Sequence, residues 1–272
     1  MKRRFAGDGG DGDSGDRAPA DQYRTSANLE ARQALHRACS TNPYGFQRWA
    51  FDRLGLRPGQ RVLEVGCGTG TLWRHNAERL PAGVALTLSD RSFGMAAAAR
   101  DTCRERAGAR FATAALPDLP FASETFDVAV ANHMLYHVTE RLRALHELRR
   151  TLRRGGLLLA TTNGAAHLRE LGELMRALGL EPLAVSRAFS LENGAAQIRR
   201  VFAQVRREDY VDRLRATDPD LLLDYVASVG PAAGAAVAAR RDEMRAFIAA
   251  RIARDGVFEI TKSTGAFLAW DG

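Results

Sequence analysis

The stretch RVLEVGCGTG, residues 61–70, contains the pattern that decides the fold of this chain. Residues 61–65 have the β-branched and apolar character of a short buried strand, and a helical stretch from Thr71 to Leu80 follows the glycines. Glycine permits the tight turn and close backbone approach that this strand–loop–helix connection needs. Because a helix N-terminus leaves backbone N–H groups unpaired, the pattern predicts a ligand site at the loop.

The same alternation of strands and helices continues along the chain. Further strands are predicted near 84–89, 109–114, 126–131 and 157–162, with helices over 93–106 and 139–152 between them. A late strand around 201–206, an Ala/Arg helix from about 232 to 254 and the apolar run 257–270 close the chain, and the last two strands are expected to pair antiparallel at the sheet edge. The spacing predicts an α/β fold with a doubly wound, Rossmann-like, seven-stranded sheet, mostly parallel with one antiparallel edge strand.

Composition suggests how the chain is divided. Residues 1–22 are rich in Gly, Asp, Ser and Ala and have almost nothing to bury, so they are predicted to form a flexible tail. Residues 23–56 are predicted to form an N-terminal helical lid, 57–164 the ligand-binding core, 165–200 a helical cap insertion, and 201–272 the C-terminal part of the core with its closing strands.

Length and cysteine content exclude several protein classes. The chain has 272 residues, 46% of them hydrophobic, which is enough for a full core. Its three cysteines cannot make a disulfide scaffold and show no zinc-type spacing, so a reducing, cytoplasmic location is expected. No secretory leader is recognisable and no apolar run approaches about 18 residues, so no membrane association is predicted.

The net charge of +7 raises the question of a nucleic-acid partner. All the basic residues except Lys2 and Lys262 are arginines, a bias that high-GC coding produces in an Ala- and Gly-rich chain. The arginine pairs lie in different segments, and no aromatic residues are interleaved with them as a single-strand binding surface requires. A nucleic-acid partner is therefore not predicted. Nothing in the sequence indicates the oligomeric state.

The glycine spacing bears on the identity of the ligand. A dinucleotide site favours G-x-G-x-x-G, whereas this loop has glycines at 66, 68 and 70 followed by Thr71. The segment from Val62 to Gly70 resembles the first motif of the class I S-adenosylmethionine-dependent methyltransferases. In that family the loop lies against the methionine and ribose parts of the cofactor. The resemblance implies S-adenosylmethionine as the cofactor and residues 57–164 as the core that binds it.

Two further segments extend the resemblance. The second strand ends at Asp90, where a carboxylate can accept both ribose hydroxyls or, alternatively, cap the next helix. The family resemblance assigns Asp90 to the ribose and places Met95 near the adenine. The segment LPFASETFDV, residues 119–128, is similar to the family's lead into its fourth strand. Many members carry an Asp before that segment, whereas this chain has Ala115, so backbone groups near Leu116 are expected to serve the adenine.

The resemblance thus gives a set of predicted cofactor-binding residues. They are Glu64, Gly66, Cys67, Gly68, Gly70, Asp90, Arg91, Met95, Ala115, Leu116 and Asn132.

The fourth predicted strand leads into two histidines, His133 and His137. Their spacing of four also occurs in metal sites on helices, but no Glu follows the first histidine and no third ligand is evident, so no metal is predicted. Each is either a buried, hydrogen-bonded histidine or a general base, a role that neutral imidazole suits. The resemblance favours His137 as the base, with His133 in reserve. Tyr44 or Tyr136 offers an aromatic face for a sulfonium, and Tyr44 is the third predicted catalytic residue.

These features predict methyl transfer from S-adenosylmethionine to an O, N or C nucleophile of a small molecule, in bacterial specialised metabolism. The alternatives are an RNA or protein methyltransferase, or a cofactor-binding protein of the same fold that transfers no methyl group.

Overall fold

The computed structural model describes residues 26–103, 109–182 and 187–272, so the predicted tail over 1–22 lies outside the described residues. Strands β1 to β7 span Arg61–Val65, Ala85–Asp90, Arg110–Thr113, Phe126–Asn132, Leu152–Asn163, Gln204–Ala216 and Phe258–Trp270. Helices α1 to α10 span Ser26–Cys39, Phe46–Asp52, Thr71–His75, Phe93–Thr102, Arg141–Thr151, Arg169–Ala177, Gly194–Ile198, Pro219–Ala227, Pro231–Ala239 and Arg241–Asp255. Two single 3-10 turns lie at Ala77–Arg79 and Leu135–His137.

The described strands form one seven-stranded sheet in the order β3-β2-β1-β4-β5-β7-β6. Strands β1 to β5 pair parallel, and β7 pairs antiparallel with both β5 and β6. The predicted doubly wound α/β sheet and the antiparallel pairing of the last two strands at its edge are confirmed. Because β1, β2 and β4 are parallel neighbours, their carboxyl ends lie together at one edge of the sheet, where the chain order reverses beside β1.

Hydrophobic clusters cover both faces of the sheet. Val62 and Leu88 pack with Trp49 and Trp73 in one cluster. Adjacent residues point to the opposite face, where Leu63 belongs to a second cluster with residues of α5 and α7. This alternation within a continuous apolar strand is typical of parallel strands that are buried on both faces.

The β6–β7 hairpin is longer than the sequence pattern indicated. The two strands pair from Gln204 with Trp270 to Ala216 with Phe258, whereas β5 pairs with β7 only as far as Thr264. The prediction of a strand confined to 201–206 is therefore wrong in its bounds. Charged residues fill positions 206–209 and recur at the exposed positions 213 and 215, and this charged pattern, which protects an edge strand from aggregation, hid its strand character.

The hairpin end that projects past β5 carries a layer of helices. Leu214 and Ile260 of the hairpin share a hydrophobic cluster with residues of α1, α6, α8 and α10. The helical layer therefore draws on residues 219–255 as well as on the predicted cap over 165–200. Helix α8 was not predicted, although Asp218 as its N-cap and Pro219 at its first position are signals that locate a helix start. Within the described ranges, none of the helices is long and apolar enough to cross a lipid bilayer.

Candidate active site

The glycine loop joins β1 to α3 at the carboxyl edge of the sheet. Gly66, Gly68 and Gly70 all have positive φ angles, of 70°, 54° and 72°. A Cβ atom on Gly66 would lie 2.9 Å from the Met134 side chain, whereas a Cβ on Gly68 would meet nothing within 4 Å. Gly66 is thus required by packing, and Gly68 leaves its backbone open to a ligand.

Asp90 supports this loop from the end of β2. Its Oδ2 accepts a hydrogen bond from the Gly68 N–H at 3.0 Å, and its Oδ1 accepts one from the Ser92 N–H at 2.8 Å. The N-cap of α4 is Ser92, whose hydroxyl accepts from the Met95 N–H, so Asp90 does not cap the helix itself. Each carboxylate oxygen keeps a further lone pair for a ligand hydroxyl.

The neighbouring predicted residues line the same edge. Ala114 N–H donates to the Asp90 carbonyl at 3.1 Å, and Asp118 N–H donates to the Ala115 carbonyl at 3.2 Å. The turn at Ala115 and Leu116 therefore lies directly beyond the end of β3, next to Asp90. Arg91 is exposed and Met95 half-buried at the start of α4. Arg91, Met95, Ala115 and Leu116 therefore all follow the ends of β2 and β3, on the side of the sheet where Asp90 contacts the glycine loop.

Two predicted cofactor-binding residues are enclosed by protein. Glu64 is 2% exposed, and its carboxylate accepts a hydrogen bond from the Trp73 indole N–H at 2.6 Å. Burial raises the pKa of Glu64 to about 8, against the opposing effect of that hydrogen bond. Cys67 is also buried, and burial raises the pKa of its thiol, which makes it an inert packing residue instead of a nucleophile.

The tip of β4 is fixed by β5. The Thr161 hydroxyl donates to Asn132 Oδ1 at 2.6 Å and accepts from the His133 N–H at 2.9 Å. His133 has a φ of 52°, in the left-handed region, which turns the chain sharply out of the strand. Its ring centroid lies 5.1 Å from that of Phe46 on α2. Burial, reinforced by the charge of Lys262, lowers the pKa of His133 to about 4, so its imidazole is neutral at pH 7.

His137 lies one turn further on and has different surroundings. It is exposed, and its ring centroid lies 4.5 Å from that of Tyr136. Partial desolvation and then the charge of Arg91 lower the pKa of His137, so it too is neutral at pH 7. Tyr44 is 43% exposed, and its hydroxyl donates to Asp52 at 2.6 Å, which leaves its ring face as the part available to a ligand.

These catalytic candidates face a large cleft beside the glycine loop. Its volume is about 1970 Å³, and Tyr44, Thr71, His133 and His137 are among its lining residues. The opposite wall consists of α1, α6 and the loop before α9. The cleft therefore lies between the carboxyl edge of the sheet and the helical layer.

Sequence reasoning missed a polar cluster at the bottom of this cleft. Lys262 of β7 lies 2.7 Å from Asp212 of β6, and side-chain exposures are 9% and 0%. Tyr210 lies beside them, with the Lys262 ammonium 5.1 Å from its ring centroid, and the His36 and His167 rings stack at 6.4 Å. The one available signal was Lys262, a lysine within an apolar strand of an arginine-rich chain.

Asp212 also ties the N-terminal segment to the sheet. Its carboxylate accepts hydrogen bonds from the Ser40 hydroxyl at 2.8 Å and from the Thr41 and Asn42 N–H groups at 3.1 Å. Among the residues that the structure describes, no group of three or more His, Cys, Asp or Glu side chains is placed to hold a metal ion.

Comparison with known proteins identifies the central part of this fold. Residues 63–160 match the family model described as a methyltransferase domain. The ubiquinone/menaquinone biosynthesis C-methyltransferase UbiE of Idiomarina loihiensis is 33% identical over 117 residues, which are 42% of this chain and 47% of that protein. The malonyl-[acyl-carrier protein] O-methyltransferase of Enterobacter lignolyticus is 34% identical over 171 residues, which are 60% of this chain and 64% of that protein. The chain thus spans about half to two thirds of the length of these relatives.

A solved structure extends the likeness to most of the chain. Phosphoethanolamine N-methyltransferase 2 of Haemonchus contortus, in complex with S-adenosyl-L-methionine, superposes with a TM-score of 0.56 at 18% identity. The match covers 91% of this chain and 57% of that chain. At this identity the likeness shows the fold alone.

Proposed function

We propose that this chain is a class I S-adenosylmethionine-dependent methyltransferase, which transfers a methyl group from S-adenosylmethionine to an O, N or C nucleophile of a small molecule. One observation carries the proposal: the loop that Asp90 holds at Gly68 opens beside a cleft lined by His133 and His137. A cofactor loop and candidate catalytic groups thus meet at the carboxyl edge of the sheet.

The residues at the glycine loop fit the cofactor. The open side of Gly68 admits an extended ligand along the loop, and Asp90 retains acceptor capacity for two ribose hydroxyls. Met95 and the turn at Ala115 and Leu116 flank the place where the adenine would lie. When bound, S-adenosylmethionine supplies a methyl group that its sulfonium has already activated. The protein therefore has to hold the acceptor in line, exclude water and, where the nucleophile carries one, remove a proton.

His137 is the proposed general base. Its lowered pKa keeps the imidazole in the form that accepts a proton at pH 7, and it lines the cleft. His133 lies deeper, with its ring against Phe46, and serves better to position an acceptor through a hydrogen bond. Tyr44 contributes its ring face, since its hydroxyl is bonded to Asp52.

The cellular setting is proposed on composition and chemistry. Cys39, Cys67 and Cys103 are all buried and none is in a disulfide with a described residue, which agrees with a reducing, cytoplasmic location. The arginine-rich, Ala- and Gly-rich composition supports a bacterial source and a role in specialised metabolism.

Calorimetry of S-adenosylmethionine, S-adenosylhomocysteine and NAD with the purified chain tests the cofactor. Micromolar binding of the first two supports the proposal, and binding of NAD alone defeats it. Incubation with methyl-labelled S-adenosylmethionine then separates the possible functions. Label in small molecules supports the proposal, label in RNA or protein favours the polymer alternatives, and cofactor binding without any transfer favours a cofactor-binding protein of the same fold.

A further inference from the structure

The volume of the cleft exceeds that of a typical small-molecule pocket. Ligand pockets for small molecules commonly measure about 300–1,000 Å³, whereas this cleft holds about 1970 Å³. The glycines of the loop and Asp90 are not among its lining residues. The cleft therefore provides a second compartment, with room for an acceptor that extends well beyond its reacting end.

Charge at the rim of this compartment is strongly unequal. Five exposed arginines line the cleft, against two exposed carboxylates in the described part of the chain. The arginines are Arg37, Arg48, Arg169, Arg176 and Arg187, and the carboxylates are Glu173 and Glu181.

Within the described residues, most of these arginines have no carboxylate partner. Arg169 pairs with Glu170 at 2.8 Å, but the other four rim arginines make no ion pair with any described residue. Elsewhere many exposed arginines do pair, as Arg143 pairs with Asp118 and Arg245 with Asp220. Exposed guanidinium groups that line one cleft can bind carboxylate or phosphate, because their planar donors match those oxygens.

The floor of the cleft is polar and carries no net charge. Tyr210 is 2% exposed, and its hydroxyl makes no hydrogen bond of full geometry, although the Ser40 hydroxyl, which donates to Asp212, lies beside it. His36 Nδ1 and Gln47 Oε1, on two other lining residues, are likewise buried without a partner. The Lys262 ammonium is already neutralised by Asp212. Buried donors and acceptors of this kind bind neutral polar groups such as a hydroxyl or carbonyl, because an unpaired buried polar atom costs about 1–3 kcal/mol.

We infer that the methyl acceptor is an elongated anion, whose carboxylate or phosphate binds the rim arginines while an uncharged polar group near its nucleophile binds the floor. The inference rests on the proposed function and adds the acceptor's chemical class. It assigns specificity to Arg176 and Arg187, which lie far along the chain from the glycine loop.

A matched panel of acceptors tests the inference. The panel consists of sets that differ in chain length, from two to eight methylene groups. Each set contains a 4-hydroxyphenyl alkanoic acid, the phosphate monoester on the same skeleton and the neutral primary amide. Methyl transfer is measured with labelled S-adenosylmethionine. We expect transfer to acids or phosphates with kcat/KM at least tenfold above that for the amides, and the two anionic arms show which group the rim prefers. Equal or better transfer to the amides overturns the inference.

Variants of the rim arginines test whether these residues cause the preference for anionic acceptors. The double substitution Arg176→Gln and Arg187→Gln is expected to raise KM for the anionic acceptor at least tenfold and to change kcat less than twofold. Arg199→Gln with Arg200→Gln is the control, since both arginines are exposed outside the cleft. An unchanged KM in the first pair, or no transfer to any acid or phosphate by protein that binds S-adenosylhomocysteine, overturns the anionic acceptor. Failure to bind S-adenosylhomocysteine instead defeats the proposed function.

Discussion

The Asp90 carboxylate accepts a hydrogen bond from the Gly68 amide, with 3.0 Å between Oδ2 and the nitrogen. This contact joins the end of β2 to the middle of the glycine loop, and the parallel pairing of β1 with β2 makes it possible. It fixes the loop in a shape that glycine at a φ of 54° readily adopts. A residue proposed to bind the cofactor thus also shapes the loop that receives it.

Substitution of Asp90 by alanine is expected to weaken S-adenosylmethionine binding roughly ten- to a hundredfold, or about 1.5–3 kcal/mol, because both ribose contacts and the Gly68 support are lost. Calorimetry on the wild type and the variant measures the change. Asp242→Ala, an exposed carboxylate at the start of α10, serves as the control. Unchanged affinity in folded Asp90→Ala would remove Asp90 from the cofactor site.

Substitution of His137 by alanine is expected to lower turnover of a hydroxyl acceptor by about a hundredfold or more with cofactor affinity intact, because the general base is lost. The wild-type rate should rise with pH through a pKa below the usual 6.5 and then level off, since the neutral imidazole is the active form. The variant should lack that rising limb.

His146→Ala offers the matched control, because His146 is exposed on α5 away from the cleft. A His137→Ala enzyme with wild-type turnover would show that transfer proceeds by positioning alone.

Substitution of Asp212 by alanine is expected to destabilise the fold by about 3–5 kcal/mol, because it leaves the Lys262 ammonium unpaired in a buried site. The substitution also removes the acceptor of the hydrogen bonds that Ser40, Thr41 and Asn42 donate. Lys262→Met should cost less, since Asp212 keeps those donors. Urea unfolding measures both, and a larger loss in Lys262→Met would contradict this ranking.

The ion pair of Asp212 with Lys262 also predicts how the free energy of unfolding changes at acid pH. Burial acts to raise the pKa of Asp212, but the hydrogen bond and charge of Lys262 outweigh it and lower the pKa. A lowered pKa contributes stability that is present above the unfolded value of about 3.9 and is lost as the pH falls through the folded value. The free energy of unfolding should therefore decline below about pH 4, and less steeply in Asp212→Asn.

Glu64 should give the wild type the opposite pH dependence, which Glu64→Gln removes. Burial raises the pKa of Glu64 to about 8, so the folded state holds a proton that the unfolded state has already lost between its ordinary pKa of about 4.3 and pH 8. The stability of the wild type should fall over that range, by up to about 5 kcal/mol. The glutamine variant retains an acceptor for Trp73 and should lack this decline. Identical pH profiles of unfolding would show that Glu64 is ionised in the folded chain.

The local parts of the site were accessible from sequence because each is a short motif. The glycines at 66, 68 and 70, Asp90 at a strand end and the histidines at 133 and 137 each lie within one strand–loop segment. Parallel pairing then places these segments at one edge, a general property of such sheets. Their roles as cofactor and catalytic residues stay predictions until the variants above are measured.

The remaining polar residues of the cleft could not be predicted in this way. His36, His167, Tyr210 and Lys262 lie on α1, the loop after β5, β6 and β7, separated by up to 226 positions. No spacing rule links them. The bounds of β6 were also missed, because its alternating charges resemble a solvated segment until β7 pairs with its full length.

The sequence by itself determined the strand–helix order of the parallel part of the sheet and the glycine loop, and it predicts the class of ligand, because strand periodicity, glycine conformation and helix starts are local properties of the backbone. Only the tertiary structure decided what faces the acceptor. The long β6–β7 hairpin carries the helical layer past the sheet, and the packing of that layer brings exposed arginines and buried polar atoms around one cleft. Such a set depends on packing between distant segments, which no local pattern encodes.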